Sequence, residues 1–189
     1  VNAGTLAITN AAVNAVLDVR GGTLTQSAGT LWFDFLYVTN ACARFIRTGG
    51  SLNINGLIYL TPGFDADGDG IPNASDLDAF NPADANDDPD ADGYTNLQEF
   101  QAGTNPLDST SFFAITSITP VGGTNILITW QTGLGKTNAL ERSPGAAGSY
   151  SNNFAAIFTV TNTVSPTNYL DVGAATNVPS LFYRVRLVP

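Results

Sequence analysis

Residues 65–76 read DADGDGIPNASD, and residues 88–99 read DPDADGYTNLQE. Counted from its first aspartate, the first stretch puts Asp65, Asp67 and Asp69 at positions 1, 3 and 5. Gly70 follows at 6, Asn73 at 9 and Asp76 at 12. The second puts Asp88, Asp90 and Asp92 at 1, 3 and 5, with Gly93 at 6, Asn96 at 9 and Glu99 at 12. Carboxylates on alternate positions of a tight loop converge on one centre, which suits a hard dication seeking six to eight oxygens. The glycine permits the sharp turn. Position 7, Ile71 or Tyr94, offers its backbone carbonyl, and position 12 closes the shell. Asp76 has a shorter arm than Glu99, so the first site is expected to hold its ion less tightly. The chain has no histidine, and its one cysteine lies elsewhere, so zinc, copper and iron lose their usual ligands. Ca²⁺ is the ion expected, two or more per chain, with Mg²⁺ a poor second.

The surrounding charge fits that reading. Residues 65–108 hold twelve of the sixteen acids, and no Lys or Arg occurs from Ser51 to Gly135. The remaining chain has four acids and seven bases. An acidic insert between nearly neutral flanks argues against a nucleic-acid partner. No apolar run is long enough to span a membrane as a helix.

The elements carrying the loops are turns. LTPGF before Asp65 and NPADAND before Asp88 cannot be helical, so neither loop is a full EF-hand. Helices can follow: Thr95 and Gln98 form a capping box for 96–102 with Gly103 as the stop, and Asn73 is expected to cap a shorter helix through Phe80. The sequon Asn73-Ala74-Ser75 falls inside the first loop and is discounted. Loop-then-helix halves of this kind resemble dockerins and thrombospondin type 3 repeats, and GTNPLDST at 103–110 resembles the ends of such repeats in secreted bacterial proteins. That resemblance implies Asp84, Asp87 and Asp108 as further ligands. Cation binding would relieve the mutual repulsion of the acids and link folding to metal, giving a rigid coupling between the flanking segments.

Before the loops, L-x-[IV]-T-N-A recurs at 6–11 and 36–41, and GGTL at 21–24 is echoed by GGSL at 49–52. Repeats of about 30 residues suggest a stacked array. Leu6 and Ile8, then Leu31, Phe33, Phe35 and Tyr37, alternate as strand residues do. The expected fold is a short parallel β-solenoid; an ordinary antiparallel sheet is the competing reading. The repeats resemble the β-helical stalks of bacterial surface and autotransporter-like proteins. Two repeats fall short of the three or so a solenoid needs, so either earlier repeats are missing or a second copy stacks on the open end. The lack of an initiator Met also suggests a processed product or a fragment. Asp18 and Asp34, the only carboxylates before residue 65, read as surface or turn residues. Cys42 reads as a small buried side chain, with pairing to another chain as the alternative.

From Phe112 the runs FFAITSI, NILITW, TNALERS, FAAIFTVTNTV, TNYLDV and LFYRVRLV alternate as strands, with turns at 122–123, 133–135 and 143–148. About seven strands are expected, in an antiparallel sandwich. The ITW and YRV strands resemble fibronectin type III-like or immunoglobulin-like domains. Trp130 reads as core, with a sugar platform as the alternative. GLGKT at 133–137 lacks the first glycine of a phosphate loop and reads as a hairpin turn. Without histidine there is no Ser-His-Asp arrangement.

The sequence thus predicts a mainly β protein: a solenoid end over 1–62, a calcium-binding acidic segment with short helices over 63–110, and a β-sandwich over 111–189. The expected function is that of an extracellular or cell-surface, non-enzymatic structural or adhesive protein, a stalk or fibre subunit partnering itself end to end. A carbohydrate-binding or spacer module of a larger secreted enzyme is the second reading.

Overall fold

The computed structural model describes residues 4–7, 15–144, 152–162, 164–176 and 180–189. Among the described residues the protein is mainly β, with parallel sheets in its N-terminal part, antiparallel sheets in its C-terminal part, and one α-helix. It divides into two compact units, 1–87 and 88–189. The division falls inside the acidic segment, between the two loops.

In the first unit the strands are β1 (Thr5–Ala7), β2 (Val16–Asp18), β3 (Gly22–Gln26), β4 (Thr30–Phe33), β5 (Phe35–Val38), β6 (Ala43–Arg47), β7 (Ser51–Ile54) and β8 (Ile58–Leu60). The chain returns to the same sheet at every third strand, giving parallel sheets β1-β4-β7, β2-β5-β8 and β3-β6. The register differs from the one the motifs suggest. Leu6 pairs with Leu31, and Leu36 pairs with Leu17, so LAITNA and LYVTNA start on different sheets; residues 8–11 lie outside the described set. The spatial repeat is instead Gly-[Thr/Ser]-Leu at 4–6, 29–31 and 50–52. All three glycines have positive φ, and two pass the chain on by accepting the next strand's first amide: Thr30 N to Gly4 O at 2.9 Å and Ser51 N to Gly29 O at 2.8 Å.

Asp34 corrects a second expectation. Leu31, Phe33, Phe35 and Tyr37 do not share one face: Leu31, Phe33, Leu36 and Val38 point into the core, and the phase reverses at Asp34. The cause is a corner. The amides of Asp34 and Phe35 both donate to Ala15 O, while Asp34 Oδ2 accepts from Ala15 N at 2.7 Å and Oδ1 from Asn55 Nδ2 at 3.2 Å. One carboxylate therefore ties three passes of the chain together. Cys42 is exposed, in the turn closed by its amide on Asn40 Oδ1, against the expectation of burial. The tight turn points this side chain outward before β6 begins.

The second unit holds helix α1 (Asn96–Ala102) and strands β9 (Ile115–Val121), β10 (Asn125–Trp130), β11 (Thr137–Ser143), β12 (Ala155–Thr161), β13 (Thr167–Asp171) and β14 (Phe182–Leu187). They form antiparallel sheets β13-β10-β9 and β12-β11-β14. Six strands form among the described residues where about seven are expected; most of the expected 143–148 turn lies outside those residues. Ile128, Trp130 and Leu140 are buried together, with Ile126, Tyr183 and Val185 packed against them. Trp130 is wholly buried and donates Nε1 to Asn138 Oδ1 at 2.8 Å, which removes it as a sugar platform. GLGKT contains the turn from β10 to β11.

Gly50 tests the repeat. Its φ is +86°, and an added Cβ would lie 2.5 Å from Gly29 O and 2.9 Å from Ala28 C. Gly50→Ala is expected to lower the unfolding free energy by about 1–3 kcal/mol in a denaturant titration, through backbone strain and the clash. Gly21→Ala, with nothing within 4 Å, is the matched control and is expected to stay within about 0.5 kcal/mol of the parent.

Candidate metal centres

The two loops share one backbone design. At position 1, Asp65 Oδ2 accepts from Gly70 N at 3.0 Å, and Asp88 Oδ2 from Gly93 N at 2.9 Å. At position 3, Asp67 and Asp90 each accept through Oδ1 from the amide two residues on, both at 3.3 Å. At position 5, Asp69 Oδ1 accepts from Ile71 N at 2.7 Å, and Asp92 Oδ1 from Tyr94 N at 2.9 Å. Gly68 and Ala91, both at position 4, have positive φ, as do Gly70 and Gly93 at position 6. Unrelated intervening residues thus take the same path.

This pattern explains the alternate spacing. The aspartates at positions 3 and 5 each hold the amide two residues on with one oxygen, which leaves the other to turn inward, whereas Asp65 and Asp88 at position 1 accept through both oxygens, from Gly68 and Gly70 and from Asp92 and Gly93. Asp65, Asp67 and Asp69 bring ligand atoms within 4.8 Å of one another, as do Asp69, Asp76 and Asp84, and as do Asp88, Asp90 and Asp92. Asp69 is common to the first two groups. The second oxygens of Asp67, Asp69, Asp76, Asp90 and Asp92 are buried without a hydrogen-bond partner, and so are both oxygens of Glu99. Asp67 is 3% exposed and Glu99 1%. Buried carboxylate oxygens without donors are costly unless a cation meets them. The donor set is all oxygen, as a hard dication requires.

The electrostatics agree. Burial, then the neighbouring charges of Asp69, Asp65 and Asp84, raise the Asp67 carboxyl to about 7. Burial, then Asp84, Asp67 and Asp69, raise Asp76 to about 7. Asp69 and Asp90 are raised, chiefly by burial. Glu99 is raised by burial first, and the charges of Asp92, Asp90 and Asp88 add to it. Glu99 thus feels the second cluster although it lies outside the tight group of three.

No protein family, curated protein or solved structure matches this chain. The reading of the loops therefore rests on their own geometry.

The remaining expected ligands fall in different places. Asn73 does not turn its oxygen to the cluster: Oδ1 accepts from Ala66 N at 2.9 Å, while Nδ2 donates to Thr61 O at 2.8 Å. With its oxygen on Ala66, Asn73 caps no helix, and 74–80 is a series of turns, contrary to expectation. Within NPADAND, expected to be non-helical, a short 3-10 turn at Asp84–Asn86 forms and brings in Asp84. Ile71 and Asn96 are buried, while Tyr94 is partly buried and stacks with Phe112. Asp87 is exposed and outside the three groups. Asp108 is also outside them; its Oδ1 accepts from the Thr110 amide and hydroxyl, which lowers its pKa. Helix α1 follows expectation, with the Thr95–Gln98 capping box and Gly103 at φ +71°.

Each loop is anchored to its own unit. Ala66 and Phe80 join the first core; Phe45 N donates to Ala66 O at 2.8 Å, and Arg47 N to Phe80 O. The acidic segment thus occupies the third place beside β3 and β6. Two apolar residues within an acidic run, Ala66 and Phe80, were the available signal for that docking. In the second unit, Gly133 backs directly onto the carbonyls of Ala102 and Gly103. Lys136 Nζ donates to Phe100 O at 3.4 Å, a cation at the negative end of α1.

The raised carboxyls fix a sign. In the unfolded chain Asp67 and Asp76 ionise near 3.8; in the folded, metal-free chain they hold protons to about 7. The folded state therefore binds more protons between those values, and its stability falls as pH rises through them. Scanning calorimetry of chelator-treated protein is expected to show the melting temperature of the first unit dropping from pH 5 to pH 8. With millimolar Ca²⁺ the trend is expected to reverse, since a bound ion would displace those protons.

Proposed function

We propose that this chain is an extracellular structural or adhesive protein whose two acidic loops are Ca²⁺ sites that lock each loop onto its unit. One observation carries the reading: two separate loops converge their carboxylates through the same backbone pattern, and the inner oxygens are buried without donors. Asp65, Asp67, Asp69, Asp76 and Asp84 would hold metal in the first unit. Asp88, Asp90, Asp92 and Glu99 would do so in the second, with the Tyr94 carbonyl completing the loop. The ion supplies positive charge and nothing else; the reading is non-enzymatic.

The parallel sheets are read as turns of a β-solenoid, and the two antiparallel sheets as a fibronectin type III-like sandwich. The metal's task in the first unit is to close the solenoid. With the carboxylates neutralised, Ala66 and Phe80 stay on β6 and supply the carbonyls that its Phe45 and Arg47 amides need. Loops of this chemistry in extracellular modules bind at about 10⁻⁴–10⁻³ M, so they fill where calcium is abundant. End-to-end association through the first row of strands belongs to the same reading, since β1, β2 and β3 have no partner on that side among the described residues.

Calorimetric titration of chelator-treated protein with Ca²⁺, with light scattering on the same sample, tests it. At least two ions are expected, with scattering reporting association; Asp67→Asn is expected to weaken one class of site and Glu99→Gln the other. At a hundredfold excess over Kd, one site adds about 2.7 kcal/mol of stability. Chelation is expected to speed hydrogen exchange at the Phe45 and Arg47 amides well before that of Leu36, which donates to Leu57 O. Absence of heat at 10 mM Ca²⁺, or exchange at Phe45 and Arg47 indifferent to metal, would falsify the reading.

A further inference from the structure

We propose that the free edge of β14 accepts an extended strand from another polypeptide, apolar at alternate residues and acidic at those between. β14 pairs with β11 on one side, and no described strand lies on the other. Val188 N donates to Thr137 O at 2.8 Å, which sets the alternation of the ladder. In an antiparallel pair, bonded and non-bonded positions alternate. Phe182, Arg184 and Arg186 therefore bond to β11, and the amides and carbonyls of Tyr183, Val185 and Leu187 point to the open edge.

Core-facing side chains beside that edge are incompletely covered by the described residues. Tyr169 of β13 stacks on Phe158 of β12 at 4.8 Å, while the Tyr183 hydroxyl of β14 donates to Asp171 at the end of β13 at 2.9 Å. Ile118 of β9 pairs with the wholly buried Ile128 and so shares its core-facing side. Yet Ile118 is 49% exposed. Tyr183, Val185 and Leu187 are only partly buried. The Leu187 carbonyl accepts from Arg186 Nη1 at 3.4 Å; at Tyr183 and Val185 an added strand would meet open backbone groups and cover apolar side chains together, the two requirements of strand addition.

Charge selects the occupant. Glu141, its side chain 7% exposed, accepts from Arg184 Nε at 2.7 Å and Arg186 Nε at 2.6 Å. Both guanidinium groups are thereby fixed on the outer face of β14, each about half exposed, and Arg184 also lies over the Phe154 ring. One carboxylate faces two cations. The other acid of residues 111–189, Asp171, is bound by Arg142 and the Tyr183 hydroxyl. A second β14 edge would set arginine against arginine, which disfavours self-pairing. An acidic strand would place its carboxylates beside Arg184 and Arg186.

The test uses the whole chain, calcium-loaded, and an acetylated, amidated nonapeptide alternating Val and Glu. Binding is expected to slow hydrogen exchange at Tyr183, Val185 and Leu187, and to weaken at least tenfold in Arg184→Gln/Arg186→Gln. Two peptide controls do not depend on a variant folding: alternating Val and Lys, and the Val/Glu peptide N-methylated at every second residue, in each of its two phases. Both the Val/Lys peptide and at least one methylated phase must fail to bind. No binding at millimolar peptide, binding by the Val/Lys peptide, or equal binding by both methylated phases overturns the proposal. So does a dimer of the chain paired through β14 that the Val/Glu peptide cannot dissociate.

Discussion

The constraint on which this molecule turns is the burial of carboxylate oxygens with no hydrogen-bond partner among the described residues to meet them. From Ser51 to Gly135 there is no basic side chain. Arg44 comes near the first loop at Gly68, but its Nη1 donates to the carbonyls of Ala41 and Ala43. Like charges a few ångströms apart in a partly dehydrated loop repel strongly. The chain reduces that cost locally by giving one oxygen of Asp67, Asp69, Asp90 and Asp92 a backbone donor. It leaves their other oxygen buried without a hydrogen-bond partner.

The turn chemistry and the convergence of the carboxylates are thus one device. An aspartate that holds the amide two residues ahead sets the turn that places the next aspartate, which repeats the act. A spacing of two is the period of that turn and also the period that brings carboxylates to one centre. The glycines serve the turn, and Ala91 at positive φ shows the turn imposed on a residue that does not favour it. Position 12 is less constrained by this device. Asp76 groups with Asp69 and Asp84, whereas Glu99 stays at the edge of its cluster on the first turn of α1.

What was legible in the sequence is what is local. The aspartate spacing and the Thr95–Gln98 capping box each involve a dozen residues or fewer; the carboxylates at positions 1, 3 and 5 do come together in both loops, and the capping box forms. The parallel register was hidden because the Gly-[Thr/Ser]-Leu units stand 25 and then 21 residues apart, so no single period finds them. Asp34 was hidden for a related reason: its role as a corner depends on Ala15 and Asn55, distant in sequence, and without them its strand reads as unbroken alternation. Asn73 sits where a ligand belongs by spacing, but its oxygen serves Ala66. Residue type and position could not distinguish those two uses, since both ask only for an amide at the end of a short arm.

The acidic segment also answers a problem that every open sheet has. A strand with an unpaired side exposes amides that need acceptors. On β6 the acceptors at Phe45 and Arg47 are the carbonyls of Ala66 and Phe80, carried by a segment that is otherwise turns and charge. Such a segment has little apolar surface with which to hold itself on a sheet; Ala66 and Phe80 are its contribution to the core. In the function proposed above, a cation held by the carboxylates would supply the missing cohesion from outside the chain. A strand in that place would need its own run of apolar residues, and it would stay whether or not a cation was present. On that proposal a loop of aspartates would make the same closure conditional on the solution around it, which is a physical reason for putting charge where a sheet would ordinarily put valine.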